Sequence, residues 1–387
     1  MMIHDPFLII VILLAIEVLV LFLSQHERTR GWFNFIPPVF WIYFLPMLAA
    51  TAGVLDPGAP VLSMITTYLL PASLFLLLVV IDLKAIIQLG GMALAMFFIG
   101  SAGIMAGTVV SFCLFKNMVG AEFWAGFGAL SASWTGGSAN MIAVKEALAV
   151  PDRVFAPMVI VDTVVPYVWM GMLIACVGVQ AGFDRWNRSD RKVVDDLARR
   201  AKVDVVTVRL TPGGVVSVLA FAIVGSLLAK DIGTRLPVVK DIVSPYAWTI
   251  IVVSMLGILL SLTSVRRIEK AGASKIGYYI LYFVLTAIGA KASISNVGSA
   301  FILIAAGFLI IFVHAGFLLA GASLLRAPLF LVAAASQANV GGVASAPVVA
   351  AVYEPGLASV GLLLAILGNI VGTYFGILCG QFCRFFS

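Results

Sequence analysis

The chain has 387 residues, of which 62% are hydrophobic and 11% charged. Soluble domains carry about 25% charged residues, so a water-soluble enzyme or binding module is excluded and an integral membrane protein is expected. The formal net charge of +6 sits in loops and reads as a positive-inside bias, not as a nucleic-acid surface.

A helical span needs about 20 apolar residues. In chain order, spans are expected over 7–24, 35–54, 61–81, 86–115, 154–182, 213–229, 245–265, 276–291, 298–325 and 357–383. The first follows His4 and Asp5 rather than a basic region and has no small-residue cleavage site, so it reads as a span and not a signal peptide. Two further apolar segments, 122–147 and 328–352, are each interrupted by a Gly-Gly pair. The first reads Ser131-Ala-Ser133-Trp134-Thr135-Gly136-Gly137-Ser138-Ala139-Asn140. The second reads Ser336-Gln337-Ala-Asn339-Val-Gly341-Gly342-Val-Ala344-Ser345. Two glycines among hydroxyl and amide side chains make a poor helix core. In lipid, non-helical backbone is tolerated only where protein or a water-filled cavity covers it.

Residues 183–212 form the one long polar stretch, with eight basic residues (Arg185, Arg188, Arg191, Lys192, Arg199, Arg200, Lys202, Arg209) against five aspartates. It reads as a solvated cytoplasmic linker without chemistry of its own. It separates a first half, 1–182, from a second, 213–387. Pro38 and Trp41 match Pro245 and Trp248, Ala106-Gly107 matches Ala315-Gly316, and the Gly-Gly pairs match each other, at shifts of 207, 209 and 205. The order of elements matches as well: four spans, a broken segment, a last span. The expected fold is therefore an all-α polytopic membrane protein built from two repeats. If the breaks are re-entrant hairpins, there are ten spans plus two hairpins and the five-span halves are inverted; if they are full spans, there are twelve. Counting Lys and Arg by side does not separate the two, and Lys230, Arg235 and Lys240 offend the rule in both. Inverted repeats favour the hairpin reading, since exchanging the halves' conformations opens the other side.

Paired breaks in corresponding positions of two halves point to a transporter's substrate site. A broken helix exposes an N-terminus with about half a positive charge, suited to a carboxylate. Its unwound carbonyls suit Na⁺. Candidate substrate-binding residues are Ser133, Thr135, Gly136, Gly137, Ser138, Asn140, Gln337, Asn339, Gly341, Gly342 and Ser345. Asp162, with Thr163 beside it, lies mid-span, where a charge costs about 2.5–3.5 kcal/mol; it is the candidate cation or proton ligand. Asn369 and Thr373 occupy the equivalent stretch of the second half and, with Thr163, complete the candidate cation or proton set. Gly372, Gly376 and Gly380, spaced by four, read as a helix-packing seam. Glu17 is a second intramembrane acid, in the first span.

The four cysteines, all in apolar segments, read as small buried hydrophobes. No His or carboxylate cluster accompanies them, so no metal or other cofactor is expected beyond Na⁺ or H⁺ as coupling ion. His314, the one intramembrane histidine, reads as satisfied in the interior or as a proton shuttle. Asp162 has no second catalytic acid beside it, so an intramembrane enzyme is not expected.

At these residues the chain resembles known families. Two Gly-Gly motifs in re-entrant segments of inverted five-span halves resemble the glutamate:sodium symporters and the 2-hydroxycarboxylate (citrate-type) symporters. Trp134-Thr-Gly-Gly-Ser-Ala-Asn140 and Val161-Asp-Thr-Val-Val-Pro-Tyr-Val-Trp169 are closer still to the YjcL-like bacterial membrane family of unknown function. The resemblance covers nearly the whole chain. It implies a scaffold-and-transport fold of the cation:anion transporter clan, a homodimer, and a place in the bacterial inner membrane. Those symporters read Gly-Gly-x-Gly where this chain has Ala139 and Ala344, so their substrate is not carried over. The expected activity is symport of a small organic anion or amino acid, with Na⁺ as the expected partner ion. The alternatives are a cation/proton antiporter using Asp162 and an export protein of the murein-hydrolase-regulator type.

Overall fold

A computed structural model describes residues 2–33, 36–200, 208–238, 244–292, 300–354 and 356–387. Lys202 and Lys240, counted above among the loop cations, lie outside them. The described residues form helices and turns and no strand; Ile3 and Leu55 make an isolated bridge.

In chain order the helices are α1 Pro6–Gln25, α2 Arg30–Phe33, α3 Pro38–Thr51, α4 Pro60–Val79, α5 Leu83–Ile87, α6 Gly91–Val119, α7 Trp124–Gly136, α8 Ser138–Ala147 and α9 Asp152–Ala175. There follow α10 Gln180–Trp186, α11 Lys192–Arg200, α12 Pro212–Arg235, α13 Pro245–Ser261, α14 Ala273–Lys291, α15 Ala300–Leu325, α16 Leu329–Val340, α17 Gly342–Tyr353 and α18 Ala358–Phe385. Five of them (α1, α3, α4, α12 and α13) open on proline, whose missing N–H costs nothing in a first turn. Asp5, Thr211 and Ser244 cap three of those starts by accepting a backbone N–H.

Among the described residues, eight helical stretches are long and apolar enough to cross a membrane: α1, α4, α6, α9 running on through α10, α12, α14, α15 and α18. α13 makes a ninth only together with the 3-10 turn Ser264–Ala271, which is bent 98° from it. α3 is shorter than the expected span over 35–54. It opens at Pro38 and stops at Thr51, two residues before Gly53 enters the left-handed region at φ 72°.

The chain divides into two compact units that are not the two sequence halves. The first comprises Met1–Ile81, Ala149–Thr163 and Val206–Phe301; the second comprises Asp82–Leu148, Val164–Val205 and Ile302–Ser387. Each draws on both halves. In the first unit α4, α12 and α14 meet over Ala72, Leu76, Val218, Ala222, Ala273 and Ile276. Small residues set the spacing: a methyl group on Gly257 would stand 2.8 Å from Leu78 Cβ, and Gly289 lies against the Tyr43 backbone. Glu17, the second intramembrane acid, is buried on α1.

The second unit contains both broken segments, with α6, α15 and α18 around them. The start of the polar stretch belongs to this unit too and is not solvated throughout. Asp184 and Asn187 are buried, and α11 buries Val194 and Leu197.

Candidate functional site: two broken helices that meet

Each Gly-Gly pair ends one helix and starts another. At the first, Gly137 joins α7 to α8 with φ 82° and ψ 176°, a region essentially reserved for glycine. Its N–H still bonds to the Ser133 carbonyl at 2.6 Å. At the second, Gly341 (φ −108°) and Gly342 (φ 61°) join α16 to α17. In both cases the two limbs pack against each other. In the second, Gln337 Nε2 donates to Ser345 Oγ at 2.7 Å. Residues eight apart on a straight helix are separated by about 12 Å along its axis, so α17 folds back beside α16.

The two breaks also touch. A methyl group on Gly342 would stand 3.9 Å from Gly137 Cα. The helix ends alternate at this point: α7 and α16 bring their carbonyl ends, α8 and α17 their N–H ends, each worth about half a charge.

Close backbone approach holds the arrangement. Gly136 and Gly368 press on one another: a methyl on Gly136 would run into the Gly368 carbonyl, and one on Gly368 into the Thr135 carbonyl. Gly372, Gly376 and Gly380 continue the seam along α18 against Gly136, Ala132 and Gly128. This is the packing role expected of that triplet. A second seam runs along α6, where methyl groups on Gly103 and Gly107 would meet the α15 backbone at 2.9 Å (His314 Cα) and 3.0 Å (Ile310 Cα).

Several candidate residues turn out to tie the breaks in place. Asn140 Nδ2 donates to the Gly136 carbonyl at 2.5 Å, and its Oδ1 accepts from Thr373 Oγ1 at 2.5 Å. Asn339 Nδ2 donates to the Ala335 and Phe97 carbonyls at 2.9 and 3.2 Å, while its Oδ1 accepts from Ser101 at 2.7 Å. Both the nitrogen and the oxygen of each amide are therefore hydrogen-bonded. Asn369 sits by the first break: its Oδ1 lies 3.7 Å from where a Gly137 methyl would stand. Ser138, half-buried, opens α8; Ser133 and Ser345 are buried. Asp162 and Thr163, on α9, are counted with the first unit. Asp162 is half-buried, and Thr163 donates to the Val159 carbonyl at 2.8 Å.

Other buried polar atoms have no partner. Thr135 Oγ1 and Gln337 Oε1 flank the breaks; Ser131 Oγ and Trp134 Nε1 lie further along α7. An unsatisfied buried hydroxyl or amide costs about 1–3 kcal/mol. Thr135 and Gln337 are fully enclosed.

Of the two readings of His314, the structure bears out the satisfied one. It is fully buried, with Nδ1 2.8 Å from the Gly100 carbonyl and Nε2 2.9 Å from Ser336 Oγ. A carbonyl only accepts, so Nδ1 carries the proton and Nε2 accepts from Ser336. Ser336 in turn accepts from Trp169 Nε1 at 2.8 Å. The chain Trp169–Ser336–His314–Gly100 is closed, which is the satisfied-histidine reading. Trp169 lay within the quoted Val161–Trp169 stretch, but nothing in one sequence pairs it with a serine 167 positions later.

The sequence profile of a family described as protein of unknown function (DUF819) matches residues 10–386. The chain belongs to the DUF819 family. As expected, it is also similar to the uncharacterized membrane protein YjcL of Bacillus subtilis (strain 168), with 24% identity over 347 residues, covering 85% of this chain and 86% of that protein. With a membrane protein as relative and eight helices able to span, this DUF819 chain is a polytopic membrane protein.

Proposed function

We propose that the protein is a secondary active transporter of the bacterial inner membrane. In this reading it moves a small organic anion or amino acid together with Na⁺, by alternating access. The observation that carries it is the meeting of Gly137 and Gly342, two broken helices end to end, beside the unpartnered Thr135 hydroxyl and Gln337 carbonyl. Opposed carbonyl and N–H ends at one point suit a cation and an anion held together. If cation binding favours the substrate-competent conformation, coupling follows from linkage.

The hairpin form of the breaks is part of the proposal and is supported by the Gln337–Ser345 bond. The inverted repeat is a further part. The two Pro-initiated helices that fall short of a full span, α3 and α13, are the pair matched through Pro38/Trp41 and Pro245/Trp248. Packing is exchanged between the halves: Trp169 of the first half holds the second break, and Thr373 of the second half holds the first. Ser133, Ser138 and Ser345 complete the substrate side, and Asp162 carries the coupling ion.

The purified protein in proteoliposomes, given an inward sodium gradient at fixed pH, concentrates a carboxylate or amino acid. Proton efflux without solute uptake would instead make it a cation/proton antiporter. Asp162→Asn abolishes the sodium dependence and lowers uptake about tenfold, within the range of ordinary coupling free energies. Unchanged coupling in that variant removes Asp162 from the mechanism.

A further inference from the structure

We infer that the segment Gln180–Arg191 is a latch on the open ends of the second break, with the Arg191 guanidinium as its bolt. The starting point is the pair of helix ends furthest from the Gly341–Gly342 turn. α16 begins at Leu329, and the residue before it, Pro328, offers no side-chain cap. The cap comes from another element: the Leu329 N–H donates to Asp184 Oδ1 at 2.9 Å, a carboxylate at a helix N-terminus. α17 ends at Tyr353. The next residue, Glu354, accepts on Oε1 from Gln180 Nε2 at 2.9 Å and from Arg191 Nη2 at 2.6 Å. The other arm of the same guanidinium, Nη1, donates to Asp184 Oδ2 at 2.8 Å. One planar cation thus joins the carboxylate that starts α16 to the carboxylate that ends α17. A guanidinium can do this; the point charge of a lysine cannot hold both in fixed geometry.

The backbone around the bolt is fastened separately. Asn187 Nδ2 donates to the Ala322 and Ala327 carbonyls at 3.1 and 2.9 Å, and Ser189 Oγ to Ala327 at 3.1 Å. The Asp190 N–H donates to the Arg326 carbonyl at 2.9 Å. Arg326 itself is held at φ 52°, a conformation a non-glycine residue adopts only when its surroundings impose it. The polar segment is therefore anchored to the turn before α16, and the bolt reaches from there to the end of α17.

Exposure sets how the latch is worked. The Asp184 side chain is 6% exposed and Glu354 19%, but Arg191 is 51% exposed. The anchor is enclosed and the bolt is open to water and salt. Release of Arg191 frees the α17 limb while α16 keeps its cap, so the polar segment governs how often the second break parts.

Amide hydrogen exchange on the full-length protein in detergent tests this. In Arg191→Ala, exchange across 342–353 rises about tenfold while 124–136 keeps its wild-type rate. Arg191→Lys falls between. Raising salt toward molar concentration, where the screening length is about 3 Å, moves the wild type in the same direction without any substitution. Two results overturn the latch: unchanged exchange across 342–353 in Arg191→Ala and at high salt, or an equal rise across 124–136. No substrate enters the experiment, so its failure leaves the transport reading untouched.

Discussion

Gly136→Ala lowers the stability of the detergent-purified protein by about 3 kcal/mol, at the upper end of overpacking costs. The added methyl has nowhere to go. Its neighbours are the Gly368 carbonyl and the Asn140 amide, one of them rigid backbone and the other fixed by bonds to Gly136 and Thr373. α18 must move away from α7, and with it every contact along the Gly372–Gly380 seam. Gly368→Ala drives the same two backbones apart from the other side, so the two substitutions together cost less than their sum. Gly316→Ala is the control. Nothing lies within 4 Å of a methyl there, so the melting temperature stays level or rises with the better helix propensity of alanine. The check is the unfolding midpoint of the wild type, the three single variants and the Gly136/Gly368 double variant in one detergent. Equal loss at Gly136 and Gly316 would show that the tight seam is not what the glycine serves.

Gly137→Ala separates conformation from packing. A methyl at this position meets only Asn369 Oδ1, at an ordinary 3.7 Å. The cost is in the backbone: φ 82° with ψ 176° lies where a Cβ carries about 1–3 kcal/mol of strain. The tip relaxes into another turn, Gly342 loses its neighbour, and the ends of α7 and α8 no longer face those of α16 and α17. Stability falls by no more than this strain. Uptake falls further, by about a hundredfold, because a shift of about 1 Å in a binding constellation has that order of effect. Near-wild-type uptake in a folded Gly137→Ala protein would mean that the turn at Gly137 is not part of the site.

The contrast between these glycines explains what one sequence can carry. The breaks were legible because two adjacent glycines among Ser, Thr and Asn violate helix propensity inside an apolar segment, and that violation is local. The spans were legible because hydropathy is local as well; α3 fell short only where Pro38 and Gly53 cut it. Partners were not legible. Asn140 and Asn339 were legible as amides beside Gly-Gly, but not their bonds to Thr373 and Ser101, each more than 200 residues away. Gln337 keeps a free carbonyl because Ser345 takes only its amide nitrogen. The regrouping of the two halves into compact units was hidden for the same reason, since repeats record duplication and not which copies pack together. The polar stretch misled because charge usually signals solvent, whereas Asp184 and Arg191 use theirs on helix ends.

The central claim is that the meeting point of the two breaks binds a solute together with a cation. Thermal unfolding of the full-length protein against a panel of carboxylates and amino acids, in sodium and in potassium, tests it most directly. At least one compound is expected to stabilise the protein in sodium only, by about 2.7 kcal/mol at a hundredfold excess over its dissociation constant. Gln337→Ala and Thr135→Val are each expected to abolish that shift. A sodium-dependent shift that survives both substitutions would place the site elsewhere and contradict the account.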